Sequence, residues 1–299
     1  MIAGEQVYVP RTIKRHRRTA DEVEQLSAQI IEVLQADHPQ SVRHVYYRMT
    51  DPRLPVHVEK SDRGYRHVQH RMAELRRAGR LPYGWVTDAS RRGYFTNTFS
   101  GAGDFIRRMA GLYRADLWAQ ADCRCEVWVE SRSIAGVIED DCEELAVSLY
   151  PAAGFASLSF TYDVAASINA QDNGRPLIVF YIGDYDPAGV LIDRKIEQAL
   201  REHLDSSVEM VFVRIGITPE QIEYYDLPRK PRNKNDRRAL HVAETVEAEA
   251  MPACILRRIL RNRIEALLPA NALRVAKAAE ESERAGLLAL AQLHHEERP

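Results

Sequence analysis

The 299-residue sequence has few of the features that characterise secreted or membrane-bound proteins. Its four cysteines, Cys123, Cys125, Cys142 and Cys254, are too few for a disulfide framework in a chain of this length. Cys123 and Cys125 have no second pair at zinc-finger spacing, which argues against a structural zinc site. The chain has no run of about 18 apolar residues, and its basic N-terminus lacks the apolar stretch of a secretory signal. These absences favour a reduced, intracellular protein with no membrane partner.

Net charge is also nearly absent, but the charges are unevenly distributed. The formal charge is −2, from 41 Lys and Arg against 43 Asp and Glu. Residues 1–120 contain 20 basic and 13 acidic residues, a net charge of +7, whereas residues 121–299 contain 21 and 30, a net charge of −9. A basic first part and an acidic second part predict one region that binds a polyanion and another that gathers carboxylates.

The first part of the chain has the pattern of a helical DNA-binding domain. After a basic arm at 11–18, apolar residues recur at helical spacing, and the last of three predicted helices has arginines opposite its apolar side. Three helices and a wing are typical of a winged helix-turn-helix domain, and a small helical domain with a basic surface is the alternative. The predicted elements are helices over 20–36, 42–50 and 61–77 and a β-hairpin wing at 81–86. The arginines predicted to contact DNA are Arg48, Arg63, Arg66, Arg71, Arg76 and Arg77.

The second part of the chain alternates between strand and helix patterns. The apolar run at 176–182 is continuous, as in strands that are buried on both faces of a parallel sheet. Alternating strands and helices predict an α/β fold with a mostly parallel sheet. The predicted strands are 126–129, 155–160, 176–182 and 208–213, and the predicted helices are 104–118, 134–149, 162–168 and 187–203. We place the domain boundary between residues 1–103, comprising arm, DNA-binding domain and linker, and residues 104–299.

Two predicted strands end in acidic residues. Glu130 follows the first strand, and Asp184 and Asp186 follow the continuous apolar strand. Because sites in open α/β sheets form at the carboxyl ends of strands, we expect these three side chains to meet. Carboxylate oxygens suit Mg²⁺, which also bridges to phosphate groups. A single D-x-D pair would more simply be a loop turn or a helix cap, but a third acid on a neighbouring strand favours metal binding.

These motifs resemble those of Toprim domains, and the flanking segments resemble the topoisomerase VI A-subunit family, which includes the meiotic double-strand-break protein. The resemblance covers about residues 40–268, in the order of the family. Ser131 is a departure, since a Lys or similar residue often follows the Glu in this family. The chain is similar to compact bacterial or phage-type homologues, so full topoisomerase activity does not follow. The matching segments are 42–48, with an R-x-x-Y-Y motif as in the family's CAP-like winged helix, 127–130, 154–159, 183–189, 213–222, 225–228 and 245–252.

The resemblance implies a DNA-cleaving transesterification. Tyr47 matches the family's nucleophile and would leave a 5′-phosphotyrosyl link, with Arg43 favouring the phenolate or holding the phosphate. Mg²⁺ held by Glu130, Asp184 and Asp186 would stabilise charge on the phosphate. The family also implies a homodimer in which the tyrosine of one subunit meets the acids of the other. The sequence has no ATP-binding signature, so a strand-passage motor would be a separate ATPase subunit, and the protein would be cytoplasmic and nucleoid-associated.

The residues alone leave alternatives open for the tyrosines and for two further acids. On the predicted helix over 42–50, Tyr46 shares the apolar side, whereas Tyr47 lies about 100° away, as suits a reactive, DNA-facing or ordinary surface residue. Glu247 and Glu249 could support the metal ligands, although surface carboxylates of a helix are the simpler interpretation. A metal-dependent nuclease that uses water, and a DNA-binding module without catalysis, remain alternative functions.

Overall fold

The computed structural model describes residues 18–87, 96–152, 158–171, 173–232, 239 and 242–296. Most of the predicted basic arm, half of the linker at 88–103 and the first part of the segment at 154–159 lie outside the described residues. Within the described part of the chain, no helix is long and apolar enough to cross a membrane.

Three helices form the N-terminal region, and side-chain caps fix where each begins. Thr19, Ser41 and Ser61 each accept a hydrogen bond from a backbone N–H in the first turn of the helix that follows. At Thr19 the cap is reciprocal, because Glu22 accepts a hydrogen bond from the backbone N–H of Thr19. The sequence prediction of these helices is confirmed. They are α1 (Ala20–Ala36), α2 (Val42–Met49) and α3 (Asp62–Arg77).

The β-hairpin wing predicted at 81–86 is wrong. Residues Tyr83–Trp85 form one turn of 3₁₀ helix, closed by hydrogen bonds from Trp85 N–H to the Pro82 carbonyl and from Val86 N–H to the Tyr83 carbonyl. Six residues that include Pro82 and Gly84 turn back on themselves before two extended arms can pair. Val86 instead makes a single parallel bridge with Gln40. A winged-helix fold is therefore not established for this region.

A four-stranded parallel sheet is the centre of the second region. Its strand order is β2-β1-β3-β4, so the two central strands are β1 and β3. Both are almost entirely buried, which explains the continuous apolar sequence of β3. The predicted α/β fold with a mostly parallel sheet is confirmed. The strands are β1 (Arg124–Val129), β2 (Ser148–Pro151), β3 (Leu177–Ile182) and β4 (Met210–Gly216), and the helices among them are α4 (Ala102–Ala110), α5 (Arg132–Glu144), α6 (Leu158–Ala170) and α7 (Gly189–His203).

Several predicted boundaries differ from the structure, and three differences change the extent or type of an element. The helix predicted over 134–149 ends at Glu144, because Ala146 has a positive φ of 51° and the chain then enters β2. The helix predicted over 104–118 ends at Ala110, where Gly111 follows. Residues 158–160, predicted as a strand, begin α6, while 155–157 lie outside the described residues. Phe160, Val164 and Ile168 recur every four residues and pack against the sheet, which is the spacing of a helix and not the alternation of a strand.

The remaining elements return the chain to the N-terminal helices. Met251 and Leu256 are completely buried and belong to the same hydrophobic core as Met49 of α2. The described parts of 1–103 and 104–299 thus share one core, and the boundary between them stays a prediction. These elements are α8 (Pro219–Tyr224), β5 (Lys230–Pro231), β6 (Glu244–Thr245), a 3₁₀ helix (Ala248–Ala250), α9 (Ala253–Glu265) and α10 (Ala272–Glu296). Strands β5 and β6 pair antiparallel, and we call them the β5–β6 ribbon.

Candidate functional site

The carboxyl ends of β1 and β3 bring Glu130 and Asp184 together. The two strands are neighbours in register, and the Glu130 backbone N–H donates to the Ile182 carbonyl over 2.9 Å. The Oε2 atom of Glu130 accepts a hydrogen bond from the Asp184 backbone N–H, also over 2.9 Å. These two acids, predicted from sequence to meet, therefore lie side by side at one edge of the sheet.

Asp186 lies at the same edge but also caps a helix. Its Oδ1 atom accepts hydrogen bonds from the backbone N–H groups of Ala188 and Gly189, over 2.8 and 2.6 Å, where α7 begins. This is the helix-cap role considered for a D-x-D pair. The charge of Asp186 still acts on Glu130, because it contributes to raising the pKa of that carboxyl after burial itself.

Glu249 is a fourth carboxylate, for which the sequence left open either a role in support of the metal ligands or a place on a helix surface. It is 5% exposed in the 3₁₀ helix Ala248–Ala250, so its interpretation as a helix-surface residue is wrong. An antiparallel bridge between Tyr185 and Val246 brings its segment to the acids, and the Ala248 N–H donates to Asp184 Oδ1 over 2.8 Å. The signal lay in residues 246–251, where small or apolar residues that are buried alternate with acids.

Ser131, the departure from the family pattern, has a structural role in this chain. Its side chain caps α5 by accepting a hydrogen bond from the Ile134 N–H over 3.1 Å. The same hydroxyl donates to Glu249 Oε1 over 3.5 Å. The residue after Glu130 therefore connects the acidic edge to the segment that carries Glu249.

Burial and mutual repulsion make this group of acids electrostatically unfavourable. We call Glu130, Asp184, Asp186 and Glu249 the carboxylate cluster. Burial, followed by the charges of Glu249 and Glu130, raises the pKa of Asp184 well above its usual range. Burial is also the main cause of the raised pKa values of Glu130 and Glu249. A cation would relieve this repulsion, since neighbouring carboxylates ionise together only when their charge is compensated.

The chemistry of the cluster fits Mg²⁺, but the side chains are not arranged around one point. Among the described residues, no three His, Cys, Asp or Glu side chains are placed to hold a metal ion. Carboxylate oxygens are the ligands Mg²⁺ prefers, and it binds through as few as one or two of them while keeping several waters. Glu130 and Asp184, which lie side by side, are the residues that would hold it, after rotation of their side chains.

Arg214 on β4 holds the loop that carries the two aspartates. Its guanidinium donates to the carbonyls of Gly183, over 2.9 Å, and of Asp184, as well as to Ile217 over 3.0 Å. It also forms an ion pair of 2.8 Å with Asp193 of α7. One planar side chain therefore fixes the end of β3 against both β4 and α7.

Tyr47 is buried, contrary to the surface position expected for it. It is 3% exposed, and Tyr46 is 5% exposed. Tyr46 donates to the Ser61 carbonyl over 3.3 Å and packs edge-on against Tyr65, which confirms its place in the core. Helix α2 has only eight residues and is covered by α3 on one side and by the segment Ala248–Ala250 on another. Because neighbouring elements cover two sides of α2, Tyr47 is buried even though it lies about 100° from Tyr46 around the helix.

Charged side chains surround the Tyr47 ring. The Nζ atoms of Lys60 and Lys230 lie 5.8 and 5.7 Å from the ring centroid. Burial, followed by the charge of Glu247, raises the pKa of Tyr47, whereas Arg43 opposes that rise. In this arrangement the phenol is held in its protonated form.

Glu247 connects Tyr47 with the acidic edge. Its Oε2 atom lies 2.5 Å from Arg43 Nη1, and its Oε1 atom lies 2.6 Å from Lys230 Nζ. Although burial opposes it, Lys230 and Arg43 lower the pKa of Glu247. The charge of Glu247 also acts on Asp184. Within one chain, Tyr47, Glu247 and the carboxylate cluster thus form one continuous polar region.

The six arginines predicted to contact DNA fall into two groups. Arg48 is half-buried and donates to the Ala250 carbonyl over 2.8 Å, and burial lowers its pKa. Arg71 forms an ion pair of 2.7 Å with Glu74, and Arg76 donates to the Tyr83 carbonyl over 3.1 Å. The other three lie on the exposed surface of α3: Arg63, Arg66 and Arg77.

We compared the chain with family models, with curated proteins and with solved structures, and none of the three comparisons found a match. The resemblance to Toprim and topoisomerase VI A proteins therefore stays a prediction from the sequence motifs.

Proposed function

We propose that this protein binds DNA and cleaves it by a topoisomerase VI A-like transesterification through Tyr47. The observation that carries the proposal is that Glu247 connects Tyr47 and Arg43 with Asp184, which lies beside Glu130 at the carboxyl edge of a parallel sheet. Residues from four separate segments of the sequence are connected there. Active sites of open α/β sheets are found at this edge.

Each residue of the region has a role in the proposed reaction. The Tyr47 phenol gives up its proton as its oxygen forms a bond to a backbone phosphorus, the bond from phosphorus to the 3′ oxygen breaks, and that oxygen takes up a proton. The products are a 3′ hydroxyl and a 5′-phosphotyrosyl link. Arg43 holds a phosphate oxygen. Glu130 and Asp184, with Asp186 near them, hold Mg²⁺. When bound, the ion supplies positive charge to the phosphate and to the leaving oxygen.

The exposed arginines of α3 are the proposed contacts to the DNA backbone. Arg63, Arg66 and Arg77 lie on one helix, away from its buried residues Val68 and Met72. Contacts of this kind position DNA without reading its sequence. The winged-helix architecture, a homodimer that cuts both strands, a separate ATPase subunit and nucleoid association belong to the same proposal. In this proposal Tyr47 acts with the acids of its own chain, whereas the resemblance implies those of the partner subunit.

Covalent trapping tests the proposal. A cleavage reaction with DNA and Mg²⁺ is denatured, and protein attached to DNA 5′ ends is measured. We expect an adduct with the wild-type protein, none with Tyr47→Phe or Asp184→Ala, and a near-normal amount with the control Tyr46→Phe, whose hydroxyl donates to the Ser61 carbonyl. Absence of an adduct from a wild-type protein that cuts DNA would disprove transesterification.

A metal-dependent nuclease that uses water is the second candidate, and the burial of Tyr47 favours it. A phenol that is 3% exposed and has a raised pKa is a poor nucleophile until its surroundings change. In this case Tyr47→Phe cuts DNA as fast as the wild type, whereas Asp184→Ala abolishes cutting. The same two variants also separate both enzymes from a DNA-binding module without catalysis. In that case neither variant changes DNA binding, and none of the proteins cuts DNA.

A further inference from the structure

Two positively charged side chains bind one carboxylate beside Tyr47, and a third lies near the same ring. Arg43 and Lys230 each bind a different oxygen of Glu247, over 2.5 and 2.6 Å. The Nζ atom of Lys60 lies 5.8 Å from the centroid of the Tyr47 ring and donates to the Arg229 carbonyl over 3.0 Å. Side chains from α2, from the segment before α3 and from the β5–β6 ribbon therefore lie around Tyr47 and Glu247.

Arg43, Lys60 and Lys230 all interact with the charge of Glu247, and Arg43 also interacts with that of Glu249. Burial, together with the neighbouring charge of Lys230, lowers the pKa of Lys60, as expected where cations are crowded. Two cations that bind the two oxygens of one carboxylate also match the geometry in which they would bind two oxygens of a phosphate. The arrangement is thus chemically suited to a phosphodiester, with a carboxylate in its place.

Solvent reaches these ion pairs although Tyr47 is buried beneath them. The side chains of Arg43 and Lys230 are 44% and 41% exposed, and that of Glu247 is 23% exposed. A ligand can therefore exchange with Glu247 without unfolding the core. Exposed ion pairs contribute little to stability, so their replacement by a stronger anion costs little.

We propose that Arg43, Lys60 and Lys230 form a binding site for a backbone phosphate of DNA, and that Glu247 occupies this site until DNA displaces it. The inference rests on the proposed function for the identity of the ligand. It adds two lysines to the phosphate contacts and makes Glu247 an internal competitor of the substrate. A phosphate bound there lies beside Tyr47.

A binding experiment without cleavage tests the competitor role. All variants carry Tyr47→Phe and are measured without metal, so no reaction takes place, and the probe is a 20-base-pair DNA duplex at fixed salt. Removing an internal competitor strengthens binding, so we expect Glu247→Gln to lower Kd about five- to tenfold. The matched control is Glu244→Gln, which removes the same charge from the same stretch of chain but from a carboxylate paired with Arg229. We expect less than a twofold change in the control.

Lysine variants provide the second measurement. Lys60→Gln combined with Lys230→Gln removes two phosphate contacts. The slope of log Kd against log salt should therefore fall by about 2, since each contact contributes about 1. Arg229→Gln, a cation of the same segment that pairs with Glu223 and Glu244, is the control and should leave the slope within error. Thermal melting of each variant confirms that it is folded.

The outcomes separate this inference from the proposed function. If Glu247→Gln binds DNA no tighter than Glu244→Gln, or if the double lysine variant keeps the wild-type slope, the phosphate site is disproved even where the wild type forms a covalent adduct. If both binding results are as expected but no adduct forms, the phosphate site stands and transesterification falls. A folded protein that does not bind DNA overturns both.

Discussion

At the residue scale, Glu126 is an acid buried away from the candidate site. It lies in the central strand β1, is 9% exposed, and accepts a hydrogen bond from the Tyr150 hydroxyl over 3.4 Å. Burial raises the pKa of Glu126 to about 7. The folded protein therefore keeps this carboxyl protonated at pH values where the unfolded chain has already ionised it.

Glu126→Gln is expected to stabilise the protein in a pH-dependent way. Because the folded pKa is raised, the wild type loses stability as the pH rises from about 4.5 through 7, whereas glutamine does not titrate. The free energy of unfolding should rise by at most about 3 kcal/mol at pH 8, because the pKa of Glu126 rises from 4.5 to about 7 on folding. At pH 4.5 the rise should be small. Urea unfolding at both pH values measures it. An equal difference at the two pH values would contradict the assigned cause.

Gly183, unlike Glu126, lies at the candidate site, and the site requires a glycine there. A Cβ at this position would lie 2.5 Å from the Tyr181 hydroxyl and 2.8 Å from Glu130 Oε2. We expect Gly183→Ala to destabilise the protein by about 1–3 kcal/mol, as overpacking does, and to reduce Mg²⁺-dependent cleavage by displacing Glu130. The control is Gly84→Ala, whose Cβ would meet none of the described residues within 4 Å. Equal stability and cleavage in both variants would show that the end of β3 can adjust.

At the scale of elements, the helices and central strands were predictable because their burial follows one repeating pattern. Helix α1 has a cap at Thr19 and apolar residues at helical spacing, and β3 is apolar throughout because both its faces are covered. Residues 81–86 and 158–160 were mispredicted because short apolar segments are compatible with several structures until their packing partners are known. Glu249 and the burial of Tyr47 depend on contacts between distant segments, which a local pattern does not contain.

Arg214 connects three elements, and its replacement tests how the acidic loop is held. Lysine keeps the charge but cannot supply the planar set of donors that reaches Gly183, Ile217 and Asp193. Arg214→Lys should lower the free energy of unfolding by about 2–4 kcal/mol, because buried carbonyls lose their donors. It should also speed amide exchange in the loop after β3. The exposed Arg53→Lys is the control, and loss of stability without faster loop exchange would place the effect elsewhere.

At the scale of the whole molecule, the N-terminal helices and the sheet region are joined by Arg257 of α9. Its guanidinium binds Asp37, at the end of α1, and donates to the carbonyls of Pro39 over 3.0 Å and Val137 of α5 over 3.4 Å. Together with the shared hydrophobic core, this contact connects the two regions on either side of the predicted boundary at 103 and 104.

We therefore expect the two regions to unfold in one transition. Arg257→Ala should lower the midpoint of that transition for the amides of α1 and of β1 alike, as measured by hydrogen exchange in denaturant. The free energy of unfolding should fall by about 3 kcal/mol, since one partner of a mostly buried ion pair is removed. Two separate transitions in the wild type would show instead that the regions are independent domains.

The burial of Tyr47 also affects its chemical durability. Nitrating and oxidising agents reach phenols through solvent, and Tyr224 and Tyr83 are 81% and 63% exposed, whereas Tyr47 is 3% exposed. The exposed rings would be consumed first by such reagents. The tyrosine on which the proposed cleavage depends is thus kept intact by the same packing that holds it protonated.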